Sequence, residues 1–160
     1  MKLAYLALGT NLGNKKLNLK KAVKEIEKRI GHIKKLSAFY ASKPWGFESD
    51  NNFVNAALSV EINLSPTELL EETQKIELDL GRTSKSTAKG YSDRVIDIDI
   101  IFYESEQIKT KELEIPHPYM HERDFVYIPI AEIAPDYIHP ILEVKIKELI
   151  KGKHLLDKLK

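Results

Sequence analysis

Residues 2–8, KLAYLAL, form a short apolar run that reads as a strand ending in a turn at Gly9-Thr10-Asn11. Behind it, Leu19, Ala22, Val23, Ile26 and Ile30 recur at the spacing of one helical face, and Gly31 stands in the C′ position that stops such a helix. HIKKLSAFYASKP is a second extended run, broken at Pro44. In NNFVNAALSVEINL, Val54, Ala56, Leu58, Val60 and Ile62 alternate with smaller or more polar partners, which predicts a strand with one buried face. The clearest helix start is LSPTELLEETQKIELDLG. There Ser65 is an N-cap, Pro66 takes N1, Glu68 at N3 completes a capping box, and the helix runs to Gly81. RTSKSTAKGYSD, residues 82–93, is polar, cationic and rich in small side chains, the pattern of an exposed mobile loop.

After that loop, SDRVIDIDIIFY reads as a strand and ESEQIKTKELEIP as a hairpin; HPYMHERDFVYIPIAEIAP then turns into a short helix. The tail from Leu142 is amphipathic and Lys-rich. No internal repeat or low-complexity segment occurs. The order predicts an α+β fold: a ferredoxin-like βαββαβ core with extra elements, helices packed on a mainly antiparallel sheet.

Composition narrows the class without naming a reaction. A chain of 160 residues fits one domain, 1–160, and 42% hydrophobic with 31% charged residues is ordinary for a soluble protein. A net charge of +1 argues against a nucleic-acid polyanion as main partner. The absence of cysteine excludes disulfides, thiolate nucleophiles and Cys-ligated zinc. No apolar run approaches the ~20 residues of a membrane span, and the N-terminus lacks a signal-peptide core, so the expectation is a cytoplasmic monomer with no membrane partner.

The strand at 92–103 carries the chemistry. Residues i and i+2 of a strand point the same way, so Ile96, Ile98, Ile100 and Phe102 are expected to share a core face, and Asp97 and Asp99 the opposite one. Their Cα atoms would lie roughly 6.5–7 Å apart, two strand rises. Carboxylates at that spacing can bracket two Mg²⁺ ions about 3.5–4 Å apart. A merely solvated strand face gives the same pattern. Against it, Asp is a poor strand former and neighbouring like charges repel without a cation between them. Arg82, Lys85, Lys89 and Arg94 fall close in sequence, so acidic pair and cationic loop together suit a nucleoside triphosphate. Neither a Walker loop nor GxGxxG occurs, and Gly9 reads as a turn where a backbone comes close to something.

His117 and His121 stand four apart, a zinc spacing on a helix; Pro118 disfavours that helix and no third ligand follows, so a phosphate contact from His117 and Arg123 fits better. Trp45, Phe47 and Phe53 flank a Pro-Gly loop before Asn55. Such aromatics serve equally as packing or as a stack for a flat heterocycle whose edge Asn55 reads. Glu77, taken alone, reads as a surface carboxylate.

Together YLALGTNLGN, FYASKPWGF, NNFVNAAL, IELDLGR, DRVIDIDIIFY and IPHPYMHERDFVYIPIAEIAP resemble the 6-hydroxymethyl-7,8-dihydropterin pyrophosphokinase family of folate biosynthesis, in order and across nearly the whole chain. The resemblance implies ATP-dependent transfer of pyrophosphate to the pterin hydroxymethyl group, with release of AMP. It implies that Asp97 and Asp99 bind two Mg²⁺ ions, with Arg82 and Arg94 on the ATP side of the catalytic site. Glu77, Lys85, Ile100, His117 and Arg123 then match nucleotide contacts. The pterin falls between Phe53 and Phe125, with Asn55 and the loop Ser42, Lys43, Pro44 and Trp45 reading its edges. The chain departs from many relatives in the loop, where KGYSDR replaces a WGPR element, Lys89 stands in place of Trp, and Ser84 replaces a second Arg. The competing class is a ferredoxin-like ligand- or RNA-binding module without catalysis, which needs aromatics exposed in mid-strand. Asp97 and Asp99 would repel a phosphate backbone there.

Overall fold

The computed structural model describes residues 1–42, 52–81, 95–152 and 156–159. Its elements are β1 (Lys2–Thr10), α1 (Lys15–Arg29), β2 (Gly31–Leu36), β3 (Tyr40–Ser42), β4 (Phe53–Ile62), α2 (Pro66–Asp79) and β5 (Asp97–Tyr103). A small hairpin, β6 (Ile108–Lys109) and β7 (Glu114–Ile115), precedes α3 (Asp124–Ile133) and a last short strand, β8 (Asp157–Lys158). The main sheet runs β5-β1-β4-β3-β8, with β2 beside β4 as well, and every pairing is antiparallel. This is the expected α+β ferredoxin-like core with its additions.

Local chemistry sets the helix starts. Asn14 Oδ1 accepts the Leu17 N–H at 3.1 Å to cap α1. On α2, Ser65 Oγ accepts the Glu68 N–H at 3.2 Å and Glu68 accepts the Ser65 N–H at 2.9 Å, so the predicted capping box forms. Gly81, with φ +116°, follows α2 as the residue whose backbone only glycine tolerates easily. Gly31 follows α1 for a different reason: a Cβ there would meet the Glu61 carbonyl oxygen at 2.0 Å, so it admits β2 against β4.

One face of the sheet carries α1 and α2. Leu6 and Leu8 of β1, Leu58 and Val60 of β4, and Ile98 and Ile100 of β5 meet Leu19, Ile26, Leu69 and Ile76 in a largely aliphatic core that Tyr103 also enters. The other face carries α3, where Tyr5, Ala7, Ala57 and Phe102 pack against Val126, Ile130 and Ile133. The one-faced strand expected at 53–62 is therefore buried on both sides from Val54 to Val60. Alternating small and large residues hid this, because Ala57 and Ser59 are polar-sized yet lie under a helix.

A second correction concerns β5. Ala4 and Tyr5 pair with Tyr103 and Phe102, but Leu6 and Ala7 pair with Ile100 and Asp99, so Ile101 is an extra, bulged residue. Facing residues in a sheet share a side, so Ile98 and Ile100 lie under α1 and α2 while Phe102 turns to the α3 core. The expectation that Phe102 continues the Ile face fails by that one residue. The Ile101 carbonyl, displaced by the bulge, accepts the His117 N–H at 3.1 Å and ties the following loop to the strand.

Candidate active site

Strand β1 continues through Gly9 and Thr10, two residues into the turn expected at Gly9-Thr10-Asn11. Gly9 is flanked by Asn55 on β4 and Asp97 on β5, and Asn55 is flanked in turn by Tyr40 on β3. Four strands thus put Tyr40, Asn55, Gly9 and Asp97 in one row on one face. The adjacent row on that face is Ala57, Ala7 and Asp99. Two half-buried carboxylates and a buried amide consequently border a floor with no side chain larger than methyl. The bareness is forced at Gly9, where a Cβ would sit 2.9 Å from Asn55 Oδ1. Gly9 does allow a close approach, as expected, from within a strand.

Phe53, half-buried at the start of β4, lies two residues before Asn55 and so on the same side. Phe125 stands in the first turn of α3, partly buried against the core beneath that helix and against Tyr40, Ile128 and Leu156. Ring, amide and ring therefore gather at the open end of the α3 face.

The outer edge of β5 bears the second half of the site. Glu77, read from sequence alone as a surface carboxylate, is 5% exposed and accepts the Ile98 N–H at 2.8 Å. An edge strand leaves such an N–H without a ladder partner, and α2 supplies one. Alongside runs a cleft of about 340 Å³, lined by Leu70, Asp99, Ile100, Lys111 and His117 among others. Lys111, in the turn of the β6–β7 hairpin, is a cation that sequence reasoning missed; only its place opposite an acidic strand distinguishes it from other lysines.

His117 sits between opposite charges. Its Nδ1 accepts the Tyr119 N–H at 3.3 Å, which leaves the ring's proton on Nε2. Burial pushes its pKa down to about 4, the Arg123 cation adds to that, and Asp97 opposes it. The ring is accordingly neutral at pH 7, a hydrogen-bond donor rather than a cation. Arg123, at the start of α3, holds its guanidinium 5.3 Å from the centroid of the Tyr119 ring.

The described residues thus bring together Asp97, Asp99, Asn55, Phe53 and Phe125 on one face, with Glu77, Ile100, His117 and Arg123 along or near the β5 edge. Ser42 closes β3 opposite Phe53. Lys43, Pro44, Trp45 and Phe47, and the loop with Arg82, Lys85, Lys89, Tyr91 and Arg94, lie outside the described residues. The aromatics Tyr5, Tyr40 and Phe102 are buried, so they offer no open platform for stacking bases.

Comparison with known proteins relates nearly the whole chain to one family. The sequence pattern of the 7,8-dihydro-6-hydroxymethylpterin-pyrophosphokinase (HPPK) family matches residues 5–135. The 2-amino-4-hydroxy-6-hydroxymethyldihydropteridine pyrophosphokinase of Porphyromonas gingivalis is 44% identical over 88% of this chain and 95% of its own length. The protein of the same name from Aquifex aeolicus is 41% identical over 92% of this chain and 90% of its own length. Among solved structures, Plasmodium falciparum HPPK-DHPS superposes with a TM-score of 0.75 at 19% identity. The overlap covers 92% of this chain and 43% of that one, so the fold spans less than half of the larger chain.

Proposed function

The chain belongs to the 7,8-dihydro-6-hydroxymethylpterin-pyrophosphokinase family, and from that premise we propose how its own residues carry the reaction. It is a diphosphotransferase that moves a pyrophosphoryl group from ATP to the hydroxymethyl group of 6-hydroxymethyl-7,8-dihydropterin, in folate biosynthesis. The alcohol oxygen forms a bond to the β-phosphorus, the α–β bridge breaks, AMP leaves and the hydroxyl proton is lost.

The observation that carries the site assignment is the pair Asp97 and Asp99 facing Asn55 across the bare Gly9 and Ala7 floor. Two half-buried carboxylates are hard oxygen donors suited to Mg²⁺, and the floor leaves room for phosphate oxygens beside them. In this reading they hold two Mg²⁺ ions. When bound, Mg²⁺ supplies neutralisation of triphosphate charge and Lewis-acid activation of the attacking alcohol.

The remaining steps belong to the protein. Phe53 and Phe125 take the pterin ring between apolar faces, and Asn55, fixed by burial, matches its hydrogen-bonding edge. Glu77 holds the β5 edge at Ile98, so the two aspartates stay where α2 places them. His117 donates its Nε2–H to a phosphate oxygen and Arg123 adds a cation, with Lys111 on the far side of the cleft. Arg82, Lys85 and Arg94 bring further positive charge from the loop between α2 and β5. The reading treats residues 1–160 as one catalytic unit acting as a cytoplasmic monomer on small molecules; among the described residues no helix is long and apolar enough to cross a membrane.

The test is incubation of the purified protein with ATP, Mg²⁺ and the pterin alcohol. AMP as the nucleotide product is expected. ADP would replace this mechanism with an ordinary γ-phosphoryl kinase.

A further inference from the structure

Helix α3 presents an almost wholly apolar inner side, with Val126, Ile128, Pro129, Ile130, Ala131 and Ile133 buried. Its N-terminus is weakly held, since Arg123 makes no side-chain cap hydrogen bond, and Pro129 removes a donor from the helix interior. What ties the helix sideways is Glu132. One of its oxygens accepts the Tyr40 hydroxyl and the other accepts the Ala38 N–H at 3.0 Å, while Lys158 on β8 approaches at 3.8 Å. A single carboxylate therefore joins α3, the entry to β3 and the last strand.

Tyr40 is also the residue directly opposite Asn55 in the site row. Its ring is buried in a cluster with Ile128 and Leu156, against which Phe125 packs. Tyr40 consequently touches both halves of the pterin pocket: the strand that carries Asn55 and Phe53, and the helix that carries Phe125. Aliphatic packing alone tolerates small slides between helix and sheet, whereas a carboxylate with two directional donors fixes one spacing.

We propose that Glu132, acting through Tyr40, is a positioning residue for pterin recognition: it sets the gap between Phe125 on α3 and the Asn55 strand, without touching the substrate. The inference rests on the pterin reading of Phe53, Asn55 and Phe125 given above.

The full chain carries the test, in the variants Tyr40→Phe and Glu132→Gln. Tyr40→Phe keeps the ring and removes one hydrogen bond; Glu132→Gln keeps an acceptor for the hydroxyl and loses the second for Ala38. Both are expected to raise KM for the dihydropterin alcohol, and Kd for fluorescent 6-hydroxymethylpterin, by about ten-fold, the scale of a sub-ångström misplacement of binding groups. KM for ATP and kcat at saturation should move less than about two-fold. A fall in melting temperature with an unchanged pterin KM, or an equal rise of both KM values, would leave Glu132 with a purely structural role and overturn the proposal. Asn55→Ala separates the premise from the inference. If it weakens pterin binding while Tyr40→Phe and Glu132→Gln do not, only the positioning role fails; if Asn55→Ala itself leaves pterin affinity unchanged, the pocket assignment falls and the positioning role with it.

Discussion

The two faces of one sheet are built to opposite rules. Under α1 and α2 the inward positions of β1, β4 and β5 are mainly branched aliphatics and alanines, with Tyr103 at one end, and the layer is sealed. Under α3 the same strands offer Tyr5 and Phe102 at one end, then alanines, then Gly9, Asn55 and the two aspartates where the helix begins. The sealed face contributes burial, on the order of 25 cal/mol for each Å² of apolar area removed from water. The other face gives up part of that burial at one end, and there the polar groups face a space a ligand can enter. Stability and chemistry are thus separated by strand parity, with Asp97, Ile98, Asp99 and Ile100 serving the two faces in turn.

If the separation holds, substitutions on the two faces should fail in different ways. The largest effect is expected from Asp97→Ala and Asp99→Ala, each lowering kcat by about 10³-fold or more in a steady-state assay, since each removes charge-matching groups at the reacting phosphates. Their denaturation midpoints should stay close to that of the parent chain. Leu69→Ala on the sealed face should do the reverse: about 2–5 kcal/mol lost in urea unfolding, with activity per folded molecule unchanged. Gly9→Ala belongs to the open face but adds only a methyl, 2.9 Å from Asn55 Oδ1 in the present geometry. It should weaken pterin binding by about ten-fold with little change in urea midpoint, measured by pterin fluorescence. A large stability loss in Gly9→Ala would blur the comparison.

The smallest effect concerns His117. Its folded pKa of about 4 lies below the ordinary imidazole value near 6.5, so the unfolded chain binds the proton more readily. The neutral ring's contribution is complete above about pH 6.5 and is lost as pH falls toward 4. His117→Gln should flatten that part of the stability profile, and NMR titration of the His117 ring should find it neutral at pH 6. Bound triphosphate, placing negative charge beside the ring, should shift its titration upward.

The sequence made much of the sealed face legible. Helical spacing exposed Leu19, Ala22 and Ile26, and the capping box announced α2, because these signals are local and repeat. Asp97 and Asp99 stood out because charge is rare in such strands. What stayed hidden depended on pairing between distant segments. Gly9 became a floor residue only when Asn55 and Asp97 were placed beside it, and Glu77 became buried only when β5 offered an unpaired N–H. The turn of phase in β5 lies in the doublet Ile100-Ile101, and an apolar pair in a strand looks like ordinary core. Glu132 gave no signal at all; its hydrogen-bond partners Tyr40 and Ala38 lie 92 and 94 positions away.

The extra residue at Ile101 acts as a fixed spacer in the chain's length. With Phe102 facing Tyr5 and no bulge, the strand would set Ile100 against Ala7 and turn both aspartates toward the aliphatic layer. Deleting Ile101 would remove the bulge and leave Ile100 against Leu6 and Asp99 against Ala7, whereas taking Ile101 into the ladder would invert the side that each residue serves. Which layer the two aspartates enter is therefore decided by whether that one added residue is looped out of the ladder or paired within it.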